Sequence, residues 1–441
     1  MTQSFPQILI VLLLGISLIV VLTAKLRLHP FFALMIASFV VGLGVQLPVI
    51  DVVNTMKEGF GNILRSLGFI ILLGTALGVI LEQNGSTSVM ANYILAKIGK
   101  RYPALAMSVT GFMVGLPIFC DSGFIVLSGL NSTLAKRTGT PLVIMAVSMA
   151  TGLYSVHCLI PPHPGAAAAA GIIGVSYGKL IALGILVAIP AMLAAYFYTG
   201  YAGKKVAFTA TSETPDENIN DTIVSPSVFN SFLPVILPII LIATKSILPA
   251  DLFVAGKVFG VLGDPVIALS VGVLLALVSS KPGKKRKINN WLQESAEKAG
   301  GILVIIGGGG AFGAVLAATK IGQHMGEVLP LAGMGILFPF LLTFVLKTAQ
   351  GSSTVAIITA ASIVQPLLPA LGFITPDQKL LCVLSMGAGS MMISHANDAY
   401  FWVIAKFEKI EMRAMLKVYS VATVIMGLVS LLMVYLLSFF L

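Results

Sequence analysis

Charged side chains are scarce in this chain. Only 10% of its 441 residues are Asp, Glu, Lys or Arg, whereas 57% are hydrophobic, and the mean hydropathy is +1.00. So few polar side chains cannot cover a soluble surface, which excludes a soluble globular protein. The three cysteines, Cys120, Cys158 and Cys382, lie in apolar surroundings, and their odd number indicates no disulfide framework. The composition predicts an all-α polytopic membrane protein.

Acidic residues are the scarcer charge, with 17 Asp and Glu against 27 Lys and Arg. The basic residues fall in short runs between apolar segments, such as Lys281 to Lys287, rather than in one patch that would bind nucleic acid. This is the pattern of cytoplasmic loops under the positive-inside rule. It predicts a multi-pass membrane protein with both termini outside. The first apolar segment, Ile8 to Ala24, lacks the features of a signal peptide and is interpreted as a retained span.

Apolar periodicity divides the chain into about ten spans. Two amphipathic stretches, Asp51 to Ser66 and Ile288 to Gly300, are predicted to lie along the membrane surface as separate helices. The predicted spans are Gln7 to Ala24, Phe31 to Leu47, Leu67 to Leu81, a broken span from Pro141, Leu180 to Tyr198, Val228 to Leu248, Pro265 to Ser279, Gly301 to Thr319, a broken span from Lys379, and Met415 to Leu441.

Two apolar stretches have the wrong length for ordinary spans. Between Lys100-Arg101 and Lys136-Arg137 lie 34 residues whose only charge is Asp121. A single spanning helix needs about 20 residues, so this stretch predicts a re-entrant hairpin near residues 102–135, broken around Pro117 and Gly123. A second, opposed hairpin is predicted near residues 331–371, with its tip at Gln350 to Thr354.

Two further spans are interrupted by residues that cannot continue a helix. "LIPPHPG", Leu159 to Gly165, places three prolines in four positions, and the second break is predicted at His395 to Asp398. The same order of elements occurs before and after a polar linker at 203–227. We therefore predict two inverted repeats of about five spans each, residues 1–202 and 228–441. Inverted repeats with broken helices are typical of secondary transporters, whose binding site lies between the repeats.

The hairpin tips and helix breaks carry the polar side chains that such a site needs. Charged groups at mid-membrane usually mark substrate or ion paths, so Asp121 and Lys347 stand out. The other candidates are Ser122 and Gly123 in the first tip, Gly351, Ser352, Ser353 and Thr354 in the second tip, and His157, His163, His395, Asn397 and Asp398 in the breaks. Each Ser or Thr could instead have a structural role, with its hydroxyl donating to a helix carbonyl. The Lys347 side chain could instead extend to the outer membrane surface. The Gly307 to Gly310 run is interpreted as a helix-packing surface. No metal or cofactor site is predicted.

Together these motifs resemble the gluconate permease family of proton-coupled symporters. The resemblance is carried by "GLPIFCDSGFIVL", "LIPPHPGAAAA", "IIGGGGAFGAVL", "GSSTVAIITAA" and "SHANDAYFW". It implies a scaffold and a transport domain, elevator-like movement, a homodimer, and binding positions at Asp121, Ser122, Gly123, His163, Gly351 to Thr354, His395, Asn397 and Asp398. Some gluconate-transporting members have Tyr-Glu at the position of Cys120-Asp121 and Arg at that of Lys347. A shorter acid and a point charge would hold a carboxylate differently, so glycerate or a keto sugar acid also fits.

The expected function is proton-coupled import of gluconate or a related small hydroxy-carboxylate. Lys347 is the candidate counter-charge for the anion, and Asp121, Asp398 and His157 are candidates for carrying the proton. A channel for small anions and a sodium-coupled carrier remain alternatives. An intramembrane enzyme is the weaker possibility, because no nucleophile and base occur at a telling spacing.

Overall fold

The structure is a computed structural model that describes residues 5–99, 101–206, 226–247, 255–280, 285–319, 333–396 and 398–441. Its regular secondary structure within these ranges is entirely helical, which confirms the predicted fold class. Six of the described helices, with a helix and its broken continuation counted as one, are long and apolar enough to span a membrane. Shorter apolar helices pack between them.

The first half of the described chain contains nine α-helices, with short π-helical segments at Val21–Lys25 and Leu95–Gly99. They are α1 (Phe5–Val20), α2 (Pro30–Gly44), α3 (Val49–Gln83), α4 (Ser86–Ile94), α5 (Pro103–Gly115), α6 (Cys120–Thr138), α7 (Leu142–Leu159), α8 (Pro164–Ile173) and α9 (Tyr177–Val206). Because α9 runs to Val206, the predicted linker begins inside a helix, and its residues 207–225 lie outside the described ranges.

The second half contains a further ten described α-helices, with a 3-10 segment at Gln365–Leu367 and a π-helical segment at Leu416–Ser420. They are α10 (Val228–Ile247), α11 (Ala255–Leu262), α12 (Pro265–Val278), α13 (Lys285–Ala318), α14 (Leu337–Gln350), α15 (Ser353–Val364), α16 (Pro376–Met391), α17 (Ala399–Phe407), α18 (Met412–Met415) and α19 (Val421–Leu437).

The predicted surface helices are wrong as separate elements. Asp51 to Ser66 and the following span form one helix of 35 residues, α3. Ile288 to Gly300 and the span after it likewise lie in one helix of 34 residues, α13. Polar residues such as Lys57 determine which face of a helix meets water. They do not end the helix, which continues until a terminating residue such as glycine or proline. In α3 that residue is Gly85, just past the C-terminus, where φ is +85°.

The two long helices pack against each other through glycine. A side chain at Gly59 of α3 would overlap the carbonyl of Gly310 in α13, and one at Gly307 would overlap the Phe60 ring. Removing the Cβ lets helix backbones approach closely, where dispersion contacts are strongest. The interpretation of the Gly307 to Gly310 run as a packing surface is therefore confirmed.

Each predicted hairpin contains two helices joined by a short break. α5 and α6 are separated by residues 116–119, and α14 and α15 by residues 351 and 352. Gly123 does not form the first break as predicted, because it lies inside α6 and packs against Leu153. Gly351 does form the second, with φ at +82°, a conformation that glycine adopts without steric cost.

The two broken spans also separate into helix pairs. α7 ends at Leu159 and α8 begins at Pro164, where a missing backbone N–H costs nothing. α16 ends at Met391, and α17 begins after Asp398. The loop between them is fixed by Trp402, whose Nε1 donates to the Ala396 carbonyl at 2.7 Å.

Candidate functional site

A buried ion pair joins the second hairpin to the second helix break. Lys347, in the last turn of α14, is 0% exposed, and its Nζ lies 2.6 Å from Asp398 Oδ2. The same Nζ donates to the Gly351 carbonyl at 2.6 Å. A buried charge is tolerated only when it is paired and hydrogen-bonded, and Lys347 meets both conditions. Lys347 therefore faces the protein interior and does not reach the outer surface.

Asp398 is fixed by further donors. Ser394 Oγ donates to Oδ2 at 2.5 Å, and the Tyr400 backbone N–H donates to Oδ1 at 3.0 Å, so Asp398 also caps α17. Ser394 is itself held by Ser420 and Thr423 near the start of α19. The carboxylate thus has a fixed position in which one of its oxygens is shared between a cation and a hydroxyl.

Two histidines flank the first helix break, His157 in the last turn of α7 and His163 directly before α8. His163 Nε2 is 2.6 Å from the Gly115 carbonyl, which ties the start of α8 to the end of α5. The His157 ring lies 4.9 Å from that of His163 and stacks on Tyr154, with ring centroids 6.4 Å apart. These contacts fix the plane of the His157 imidazole.

Both hairpins meet at His157. From the first hairpin, the Phe119 ring centroid lies 6.5 Å from that of His157, and from the second, Thr354 Oγ1 lies 3.4 Å from His157 Nε2. Asp121 lies in the first turn of α6, half-buried, with Oδ1 3.7 Å from Cys120 Sγ. Its carboxylate is repelled by that of Asp398 and attracted by the Lys347 ammonium.

The other predicted residues have local roles or lie at the margin of this group. Ser352 caps α15, because its Oγ accepts a hydrogen bond from the Val355 N–H at 3.3 Å. Ser353 is buried and Ser122 half-buried, each in the first turn of its helix. The His395 carbonyl accepts from the Asp398 N–H at 2.8 Å. Asn397 lies outside the described residues.

Two tyrosines that sequence reasoning missed form one wall of the site. Tyr154 donates to the Ser390 carbonyl and Tyr400 to the Ala150 carbonyl, and their rings stack 5.8 Å apart. Lys347 Nζ lies 6.0 Å from the Tyr154 ring centroid, within the range of a cation–π interaction. In the sequence, Tyr154 appears only as an aromatic residue in the apolar segment "SMATGLYSVHC", which by itself does not mark a site.

Another buried carboxylate, also missed, lies away from this group. Glu408, in the loop after α17, is 3% exposed and accepts from Asn131 Nδ2 at 2.8 Å and Ser132 Oγ at 2.9 Å, both on α6. Burial raises the pKa of Glu408 to about 7, and the two hydrogen bonds oppose that rise. The loop after α17 is thereby tied to the first hairpin.

Comparisons with known proteins agree with this architecture. The chain matches the GntP family permease profile over residues 7–440. It is 33% identical to a gluconate permease of Pseudomonas aeruginosa, over 95% of each chain, and 30% identical to the D-serine transporter DsdX of Escherichia coli, over 97% of each. Its fold is similar to that of the YdaH transporter of Alcanivorax borkumensis, with a TM-score of 0.65 at 16% identity over 89% of this chain and 90% of that one. The chain therefore belongs to the GntP permease family, as its motifs suggested, and is a multi-pass membrane transporter rather than an enzyme.

Proposed function

We propose that the protein imports a small hydroxy-carboxylate of the gluconate class together with a proton. The relatives named above carry gluconate and D-serine, two small acids that share a carboxylate beside a polar substituent. The observation that carries the proposal is Lys347, a fully buried cation in the second hairpin whose partner Asp398 belongs to a different element.

The ion pair suggests how substrate and proton are linked. An incoming carboxylate competes with Asp398 for the Lys347 ammonium, and two anions beside one cation repel each other in a medium of low dielectric constant. Protonation of Asp398 removes that repulsion and leaves Lys347 to bind the substrate. The proton and the anion therefore bind together, which is the requirement for symport.

The remaining candidates surround this exchange. The carboxylates of Asp121 and Asp398 repel each other, so protonation of either acid removes the repulsion that disfavours ionisation of the other. His157 contacts both hairpins and is placed to respond to their movement. We further propose a homodimer in the bacterial inner membrane, with both termini outside, that works by elevator-like movement between two inverted repeats.

Uptake into proteoliposomes tests the function. We expect purified protein to accumulate labelled gluconate or glycerate under an imposed inward pH gradient, and not under a sodium gradient alone. Lys347→Met is expected to abolish uptake and Lys347→Arg to retain part of it, because Arg keeps the charge. Accumulation driven by sodium would favour the sodium-coupled carrier. Non-saturating flux without accumulation would favour the channel.

Asp398→Asn separates coupling from binding. Because Asn resembles the protonated acid, the variant is expected to exchange labelled for unlabelled substrate across the membrane but not to concentrate it. If Asp398→Asn still accumulates substrate under a pH gradient, Asp398 does not carry the coupling proton, and Asp121→Asn and His157→Asn become the next variants to measure.

A further inference from the structure

Three buried polar atoms near Lys347 lack partners. Within the described part of the chain, neither Nε2 nor Oε1 of Gln350 has a hydrogen-bond partner, and the same holds for His157 Nδ1, although all three are shielded from solvent. Buried polar groups are nearly always hydrogen-bonded, so each exception calls for an explanation. An amide buried without partners at both ends costs stability that a ligand would restore.

Gln350 and His157 each adjoin a residue that contacts the buried Lys347 ammonium. Gln350 ends α14, three residues after Lys347, and residues at that spacing are neighbours on one helix face. It directly precedes Gly351, whose carbonyl accepts from Lys347 Nζ. His157 stacks on Tyr154, the ring that lies 6.0 Å from the same Nζ.

The chemistry of the three atoms is that of a hydroxyl-binding site. A hydroxyl group is at once a donor and an acceptor, and an amide offers both complementary functions. Imidazole Nδ1 adds a second donor or acceptor, with its direction fixed by the ring contacts of His157. Thr354 already occupies the other ring nitrogen, Nε2, at 3.4 Å, so Nδ1 is the free position.

We propose that Gln350 and His157 bind hydroxyl groups of the substrate while Lys347 binds its carboxylate, so that the site selects hydroxy-acids over plain carboxylates of the same length. This proposal rests on the proposed function and adds a determinant of specificity to it. A site built to hydrogen-bond a hydroxyl rejects the analogue that lacks it, because its own polar groups then stay unpaired.

Binding of matched ligands to the wild-type protein is the first test. Dissociation constants are measured for D-gluconate and for hexanoate, which has the same six-carbon chain without hydroxyls. We expect hexanoate to bind at least 10-fold more weakly. Equal affinities would overturn the proposal without the need for a variant.

Gln350→Met is the second test, with Gln365→Met as its matched control. Gln365 lies at the other end of the same hairpin and is exposed, so its replacement is expected to leave binding unchanged. Loss of one or two hydrogen bonds predicts about 5- to 30-fold weaker gluconate binding to Gln350→Met, with hexanoate binding unchanged. Because methionine removes an unpaired amide at similar volume, the substrate-free variant should melt no lower than the wild type.

The outcomes distinguish the two proposals. If wild-type protein binds gluconate, Lys347→Met does not, and Gln350→Met binds as the wild type does, only the hydroxyl site is overturned. If wild-type protein binds none of the acids, the proposed function fails and the hydroxyl site fails with it. A melting temperature of Gln350→Met well below that of the wild type would assign Gln350 a structural role and also overturn the proposal.

Discussion

Replacing Lys347 and Asp398, singly and together, tests whether the two buried charges stabilise each other. Asp398→Asn leaves the Lys347 ammonium at 0% exposure without a counter-charge, beside the neutral amide and the Gly351 carbonyl. An uncompensated buried charge costs about 3–5 kcal/mol. Lys347→Met is expected to cost less, about 1–3 kcal/mol, because Asp398 keeps its bonds from Ser394 and Tyr400 and can take up a proton.

The double variant decides whether the two residues act as a pair. Removing both charges leaves no isolated ion, so Lys347→Met/Asp398→Asn should be within about 1–2 kcal/mol of the wild type. Its cost is then at least about 2 kcal/mol smaller than the sum of the single costs, the signature of direct coupling. Free energies of unfolding come from denaturant titration in detergent, followed through tryptophan fluorescence, with Trp402 lying next to the break that contains Asp398.

An exposed ion pair of similar length serves as the control. Lys179 Nζ and Asp377 Oδ1 are 2.7 Å apart, against 2.6 Å for Lys347 and Asp398, but their side chains are 49% and 33% exposed. The corresponding cycle, Lys179→Met with Asp377→Asn, should give a coupling of about 1 kcal/mol or less. Additive costs at Lys347 and Asp398, or a cost below about 1 kcal/mol for Asp398→Asn, would refute the reasoning from burial.

Two further predictions concern packing and pH. Gly59→Ala should destabilise the protein by about 1–3 kcal/mol, because the added Cβ would overlap the Gly310 carbonyl. Gly61→Ala is the control: a Cβ there would have no atom within 4 Å, so this variant should be neutral or slightly stabilising in the same unfolding assay. The pKa of Glu408 is raised by burial from 4.5 to about 7, so the native state holds its proton more tightly than the unfolded state does. The protonated Glu408 contributes about 3 kcal/mol to the free energy of unfolding. This contribution is fully present below pH 4.5 and is lost as the pH rises through 7, so wild-type protein should lose stability between pH 5 and 8. Glu408→Gln should flatten that dependence, and an unchanged slope in thermal melts would contradict it.

Local backbone chemistry made much of the fold predictable. Helix ends at Leu159 and Gln350 follow from proline or glycine in the adjoining break, so the sequence alone locates them. The separate surface helices were predicted wrongly because amphipathicity reports which face meets water and says nothing about where a helix stops. The start of α3 at Val49 is therefore visible in the sequence only as the residue after Pro48.

The sequence singles out many side chains of the candidate site, but it does not predict the contacts between them. Lys347 and Asp398 were each candidates, one for the substrate and one for the proton, yet no local pattern links α14 to the start of α17. Their pairing follows from tertiary packing, as does the meeting of both hairpins at His157. Tyr154 escaped notice because a buried aromatic in an apolar helix has no polar signature until its hydroxyl partner, the Ser390 carbonyl, is known.

The glycine crossing of α3 and α13 has a consequence for biosynthesis. Gly59 and Gly310 are separated by more than half of the chain, so α3 enters the membrane long before α13 exists. At a synthesis rate of about 5–20 residues per second, Gly310 is added about 10 to 50 s after Gly59, so the α3 surface around Gly59 lacks its packing partner for that time. During that interval lipid or an insertion factor must cover the groove that α13 later fills, and the first half of the chain cannot reach its final packing until translation of the second half is well advanced.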